Sequence, residues 1–235
     1  MFEHAGQGTA RGRGHSVGAS PKAGKSSALN VVTSAIRPSS MRTTSSLNAR
    51  NLVSPGLRVP DLVLADLDPR IPGSEPDPEI QDLLRASEGL NLGVDFLPGS
   101  VGFDPLGWTA EPGFASQVLW FDALVHNVDR TWRNPNLLVW HGHIWLIDHG
   151  AALYFHHNWP TADPRRPFDA SEHVLRDRAT GLAEAHAELA PRITETLLKD
   201  VTALVPGEWF GDRGADAYTE HLLVRAPIVP EVIRG

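Results

Sequence analysis

Asp129, Asn134 and Asp148 are the residues whose types and order suit a reaction rather than a core. Two carboxylates and an amide oxygen are hard donors, the set that Mg2+ takes alongside water. A carboxylate not spent on a cation can accept or orient the proton of an attacking hydroxyl. Asp129 and Asp148 are nineteen positions apart, so a fold has to bring the set together. Residues 137–140 and 144–147 are apolar strand candidates, joined through His141-Gly142, a short turn in which the glycine takes positive φ at little cost. With that pair as a two-residue loop, Trp140 faces His143, Leu138 faces Trp145 and Pro135 faces Asp148. Asn134 and Asp148 then sit at the same end of one hairpin, and Asp129 lies on the loop that feeds its first strand.

This grouping suits phosphoryl transfer, which needs a metal-holding pair and a group that handles the proton of the attacking hydroxyl. D-x-x-x-x-N, a hairpin and then D-x-G is the order in which kinases supply those parts, here Asp129, Asn134 and Asp148-His149-Gly150. The segment resembles the HipA-like kinases and, more distantly, the phosphoinositide kinases. In that group a D-R-(H)-x-x-N loop leads through a hairpin into an apolar strand ending in I-D-x-G. The resemblance runs from about residue 57 onward and is strongest toward the actinobacterial branch.

The resemblance implies an α+β fold: a mostly helical, protein-kinase-like C-terminal lobe carrying a catalytic β-hairpin, with an incomplete or missing N-terminal lobe. It implies Asp129 as catalytic base, Asn134 and Asp148 as metal ligands, and ATP with Mg2+ as cofactors. The phosphate acceptor is a hydroxyl on a protein or small molecule. Thr131 departs from the pattern, since many relatives carry His there, and Asn136 competes with Asn134 for the ligand role. A strand at residues 90–97 takes the place of the inter-lobe hinge, with Leu92, Phe96 and Leu97 as adenine-pocket walls; the plain alternative is an edge strand.

Several elements must position these groups. Residues 114–128 place apolar side chains at 114, 118, 121, 124, 125 and 128, a helical stripe that delivers Asp129 to its loop. Asp122 and His126, one turn apart on that helix, read as local polar contacts. Trp120, Trp132, Trp140 and Trp145 read as packing. Upstream, residues 59–67 form a strand candidate, and residues 79–87 a short helix with Ile80, Leu83 and Leu84 inward. Residues 181–190, 192–205 and 215–224 are helices of the C-terminal bulk.

Charge divides the chain. Residues 1–56 carry a net +6 and the remainder −13, against −7 overall. The expected organisation is a basic, low-complexity, disordered leader over 1–56, then a HipA-like domain over 57–235. Within that domain, 57–100 is a remnant of the N-terminal lobe and hinge, and 101–235 the helical lobe. A targeting segment or an incorrect start also fits the leader's composition. The acidic body is unlike a nucleic-acid binder. No apolar run reaches a membrane span. The chain has no cysteine, which excludes disulfides and thiolate metal sites and is compatible with a cytoplasmic setting.

Two other chemistries have local signals. Residues 19–26 (ASPKAGKS) fit a relaxed P-loop, which requires a strand before it and a helix after it. His141-x-His143 followed by Asp148-His149 approaches a zinc-hydrolase pattern, with four residues between His143 and Asp148 where that pattern has one. The lysine that kinases use to hold nucleotide phosphates has no convincing counterpart, because the chain has only Lys22, Lys25 and Lys199. The alternative to an ATP-dependent phosphotransferase is therefore a catalytically inactive, truncated kinase-like binding module.

Overall fold

The computed structural model describes the backbone of residues 41–47 and residues 56–68, 70, 73 and 76–235. The P-loop-like residues 19–26, with Lys22 and Lys25, lie outside the described residues.

The fold is α+β, with small sheets set against a helical core. Three strands make the first sheet: β1 (Met41–Leu47), β2 (Leu62–Leu67) and β3 (Gly89–Val94), antiparallel in that order. β1 falls within residues 1–56, where composition alone suggests a leader without structure. Its backbone pairs from Met41 opposite Leu67 to Leu47 opposite Leu62, with an irregularity between Thr43 and Ser45.

Between β2 and β3 runs α1 (Pro78–Ala86), capped by Asp77, whose Oδ1 accepts from the Glu79 amide at 2.9 Å. Its apolar stripe is not inward as the spacing suggests. No residue of α1 is buried, and Leu83 is 67 % exposed. Helical spacing assigns a face, but whether anything covers that face is a tertiary matter.

The second sheet holds β4 (Val101–Gly102), β5 (Leu137–Trp140) and β6 (His143–Leu146), in that order. The backbone before β2 joins its outer edge, where the Leu146 amide donates to the Arg58 carbonyl at 2.8 Å. A parallel pair, β7 (Phe168–Asp169) and β8 (Ile233–Arg234), ties the C-terminal segment to the middle of the chain.

The core is built on α2 (Pro112–Val125). The sequence suggests one buried face, but burial extends almost around it: Ala115, Val118, Leu119, Trp120, Ala123, Leu124 and Val125 are all out of solvent. Three helices surround it, α3 (Leu182–Leu189), α5 (Gly214–Arg225) and α6 (Val229–Val232). α4 (Glu195–Thr202) packs on α5. The α2–α3 seam is pinned by Trp120 Nε1 donating to His186 Nδ1 at 3.0 Å. Each large side chain buried on α2 contributes roughly 1.5–3 kcal/mol of transfer free energy. α2 ends because His126 turns left-handed (φ 55°), which leaves the chain free to carry Asp129 out of the core. Val128, counted in the apolar stripe, is past that end and exposed. Among the described residues no helix is long and apolar enough to cross a membrane.

Candidate functional site

The hairpin has the register that its turn dictates. Leu137 pairs with Leu146, Leu138 with Trp145, Val139 with Ile144 and Trp140 with His143. Both turn residues have positive φ, 48° at His141 and 74° at Gly142, the sign pattern of a type I′ turn that follows the natural twist of the strands. Pairing continues one step beyond the ladder, because the Ile147 amide donates to the Asn136 carbonyl at 3.0 Å. The next positions outward are Pro135 and Asp148. Asn136 (φ 48°) and Asp148 (φ 46°) are both left-handed, so both strands break off at the same level. Asn and Asp tolerate this conformation better than other non-glycine residues.

Asp129 and Asn134 meet directly. Asn134 Nδ2 donates to Asp129 Oδ2 at 2.8 Å, and Asn136 Nδ2 approaches the same oxygen at 3.3 Å. Because Asn134 spends its NH2 group on Asp129, its Oδ1 keeps its acceptor capacity. Asp148 Oδ1 accepts from the Gly150 amide at 3.1 Å, an Asx-type turn that holds the carboxylate at the hairpin exit. The loop between Asp129 and Asn134 closes on itself: the Thr131 amide donates to the Asn134 carbonyl, and the Asn134 amide to Thr131 Oγ1. Thr131 thus has a structural task at the position where the resemblance expects His.

Beneath the loop lies a charged network that local sequence patterns do not reveal. Asp122 and Arg130 are both fully buried, with Arg130 Nε donating to Asp122 Oδ2 at 2.6 Å. Asn127 Nδ2 donates to Asp122 Oδ1 at 2.9 Å, and His173 Nε2 lies 3.1 Å from Oδ2. Burial alone pushes the Asp122 carboxyl up. The Arg130 guanidinium and the His173 hydrogen bond outweigh that, and hold it well below the ordinary carboxylate range. Arg130 Nη1 also donates to the Asn136 carbonyl, so one guanidinium joins α2 to the far end of the Asp129 loop. On the other side the Val174 amide donates to the Arg130 carbonyl, and Trp132 Nε1 to Glu172 Oε2 at 2.6 Å. Asp122, expected as a local contact near His126, is instead the anchor of the candidate site. Of the network only Arg130 stood inside a sequence motif, and nothing near His173 marked it.

The remaining expected groups fall elsewhere. Trp120 and Trp145 are in the core, while Trp132 is 54 % exposed under the Arg133 guanidinium, 4.6 Å from the ring centroid. Leu92, opposite Leu64 in the first sheet, is half-buried. Phe96 is 68 % exposed and Leu97 3 % exposed, so these neighbours do not line one wall. The segment does reach the hairpin, but at the turn end, where Trp140 Nε1 donates to the Pro98 carbonyl at 2.9 Å.

The zinc pattern comes apart. His141 and His143 are exposed at the turn, and β6 separates them from Asp148 by about 16 Å of extended chain. The His149 ring packs edge-on against Phe121. Burial, reinforced by Arg130, lowers its pKa to about 4. Among the described residues no three His, Asp or Glu side chains converge as a metal-holding group. Lys199, the one lysine among the described residues, pairs on the surface with Glu195 at 2.6 Å.

No protein-family model, curated protein or solved structure matches the chain.

Proposed function

We propose that the chain is a kinase-like phosphotransferase of the HipA-like type, with a kinase-like C-terminal lobe, that moves the γ-phosphoryl group of ATP to a hydroxyl. The observation that carries this reading is the Asp129–Asn134 contact at the end of a hairpin whose register brings Asp148 to the same level. Asp129, fixed by two amide donors, takes the proton of the acceptor hydroxyl as its oxygen bonds to the γ-phosphorus. The bond from that phosphorus to the β,γ-bridging oxygen breaks, and its electron pair leaves on ADP. Asn134 Oδ1 and the second oxygen of Asp148 are hard donors that fit Mg2+, which would neutralise phosphate charge when bound. The buried Asp122–Arg130 pair holds the loop in place, so that little reorganisation is needed at the moment of transfer.

A second reading has its own support. The phosphate-holding lysine of kinases has no counterpart among the described residues, since Lys199 is engaged with Glu195 on the surface. A binding module that keeps the shape of the lobe without turnover would need none.

Transfer from Mg2+-ATP to candidate acceptors, or to the chain itself, decides between them. The phosphotransferase reading expects turnover in the native chain and its loss in Asp148→Asn. A native chain that binds Mg2+-ATP without transferring phosphate leaves the binding module.

A further inference from the structure

Beside the candidate site lies a cleft of about 420 Å³, between the end of α2 and residues 154–169. Val128 and Tyr154 form its mouth, and both are exposed. Val128 directly precedes Asp129, so their Cα atoms are about 3.8 Å apart across one peptide. The floor is aromatic. Phe155 stacks on His221 at 3.9 Å between centroids, and His126 Nε2 lies 3.1 Å from His221 Nε2. Burial, with Arg225 nearby, lowers the pKa of His126 to about 3 and of His221 to about 4. At neutral pH both imidazoles are therefore uncharged and one donates to the other; of the two, His126 lines the cleft and His221 lies behind it.

The rim is charged and held in place. Buried Arg225 donates to the Ala123 carbonyl at 2.7 Å, the Pro164 carbonyl at 2.6 Å and the Arg166 carbonyl at 2.9 Å, clamping residues 164–166 to α2. Asp169 is on β7, fixed by pairing with β8. Asp163, Arg166 and Asp169 all line the cleft. Asp163 Oδ1 accepts from the Arg165 amide at 2.8 Å, and Asp169 Oδ1 from the Ser171 amide at 2.9 Å. Asp169 also takes a side-chain hydrogen bond from Ser171, and Asp163 lies within electrostatic reach of Arg225 and His221. Opposite charges thus line one cleft with no ion pair between them among the described residues, which favours a ligand that carries both signs.

We infer that this cleft seats the phosphate acceptor, and that the acceptor is a zwitterionic small molecule of the hydroxy-amino-acid class. Its carboxylate meets Arg166, its ammonium meets Asp163 or Asp169, and its hydroxyl points past Val128 to Asp129. The inference rests on the phosphotransferase reading for the role of the hydroxyl, but the binding itself can be measured without nucleotide.

The test is calorimetric titration of the full chain with L-serine, L-threonine and L-homoserine at pH 7.5. At least one of them is expected to bind saturably. Arg166→Ala and Asp169→Asn, both at exposed positions, are each expected to weaken binding about tenfold or more, the size of one charged contact. Unchanged circular dichroism and melting temperature show that both variants fold. The inference is overturned if none of the three binds, if both substitutions leave affinity unaltered, or if glycerol or ethanolamine binds as tightly. Binding that behaves as expected in a chain that transfers no phosphate removes the phosphotransferase reading and leaves the cleft standing.

Discussion

Arg130 Nε and Asp122 Oδ2 are 2.6 Å apart, and neither side chain has any exposure to solvent. A single ion pair, with Asn127 and His173 as supporting donors, thus fastens the central helix to the loop that carries Asp129. Removing one partner strands the other charge in the interior. Asp122→Asn is therefore expected to cost about 3–5 kcal/mol, the range for breaking a buried pair from one side. Denaturant unfolding measures it. A midpoint within error of the native value would mean that the pair is not a clamp.

The hairpin offers a cleaner backbone test. A Cβ added at Gly142 would meet nothing within 4 Å, so only its positive φ of 74° opposes substitution. Gly142→Val is expected to destabilise by about 1–2 kcal/mol through backbone strain alone. His141→Asn, which creates the favoured Asn-Gly turn, should be neutral or slightly stabilising. Thermal unfolding of the two variants checks the pair, and equal losses in both would mean that side-chain contacts hold the turn.

Acid sensitivity should set in early. His126, His149 and His221 have folded-state pKa values lowered to between about 3 and about 4, below the ordinary 6.5. The fold favours their neutral forms. Their contribution is complete above pH 6.5 and is lost as pH falls from there toward 4, because the unfolded chain takes up protons that the folded one refuses. Each such histidine costs about 1.4 kcal/mol per pH unit in that window. Asp122 acts in a lower window: its depressed pKa stabilises above the ordinary carboxylate value, and that contribution is lost as pH falls below it. Melting temperature should hold from pH 7.5 to about 6.5 and fall from there to pH 4.5, less so in His126→Gln. A flat curve would contradict neutral buried histidines.

The phosphotransferase reading separates Asp129 from Asp148. Asp129→Asn should lower turnover by about 10²-fold or more, with Mg2+-ATP binding nearly intact, because its role arises with the acceptor hydroxyl. Asp148→Asn should lose transfer and nucleotide-dependent thermal stabilisation together. Phosphate transfer and thermal shift with Mg2+-ATP distinguish the two. Native-like turnover in both would move the chemistry away from the hairpin.

The hairpin could be read in the sequence because a two-residue turn with glycine fixes register locally, and register fixes which side chains share an end. The Asp129–Asn134 contact is a finding of the structure, made possible by a loop of only five residues. Asp122 could not be read so: its partner His173 is 51 positions away, and an Asp on an apolar helix looks the same whether it caps, clamps or faces water. Leu83 and Phe96 failed for a related reason, since periodicity marks an apolar side chain but not the surface that covers it. The all-round burial of α2 likewise depends on α3, α5 and α6, which arrive some 60–100 residues later.

The parallel pairing of β7 with β8 has a practical consequence for assays. The Ala170 amide donates to the Arg234 carbonyl at 2.7 Å, and a Cβ at Gly235 would come within 2.6 Å of the Ser171 nitrogen. Residues 233–235 therefore brace the strand that presents Asp169 to the cleft. A purification handle fused at Gly235, or proteolytic trimming of those three residues, would loosen that brace. On the cleft proposal, acceptor affinity would fall while the hairpin and its carboxylates stayed intact, and a preparation altered in this way would mimic a specificity mutant.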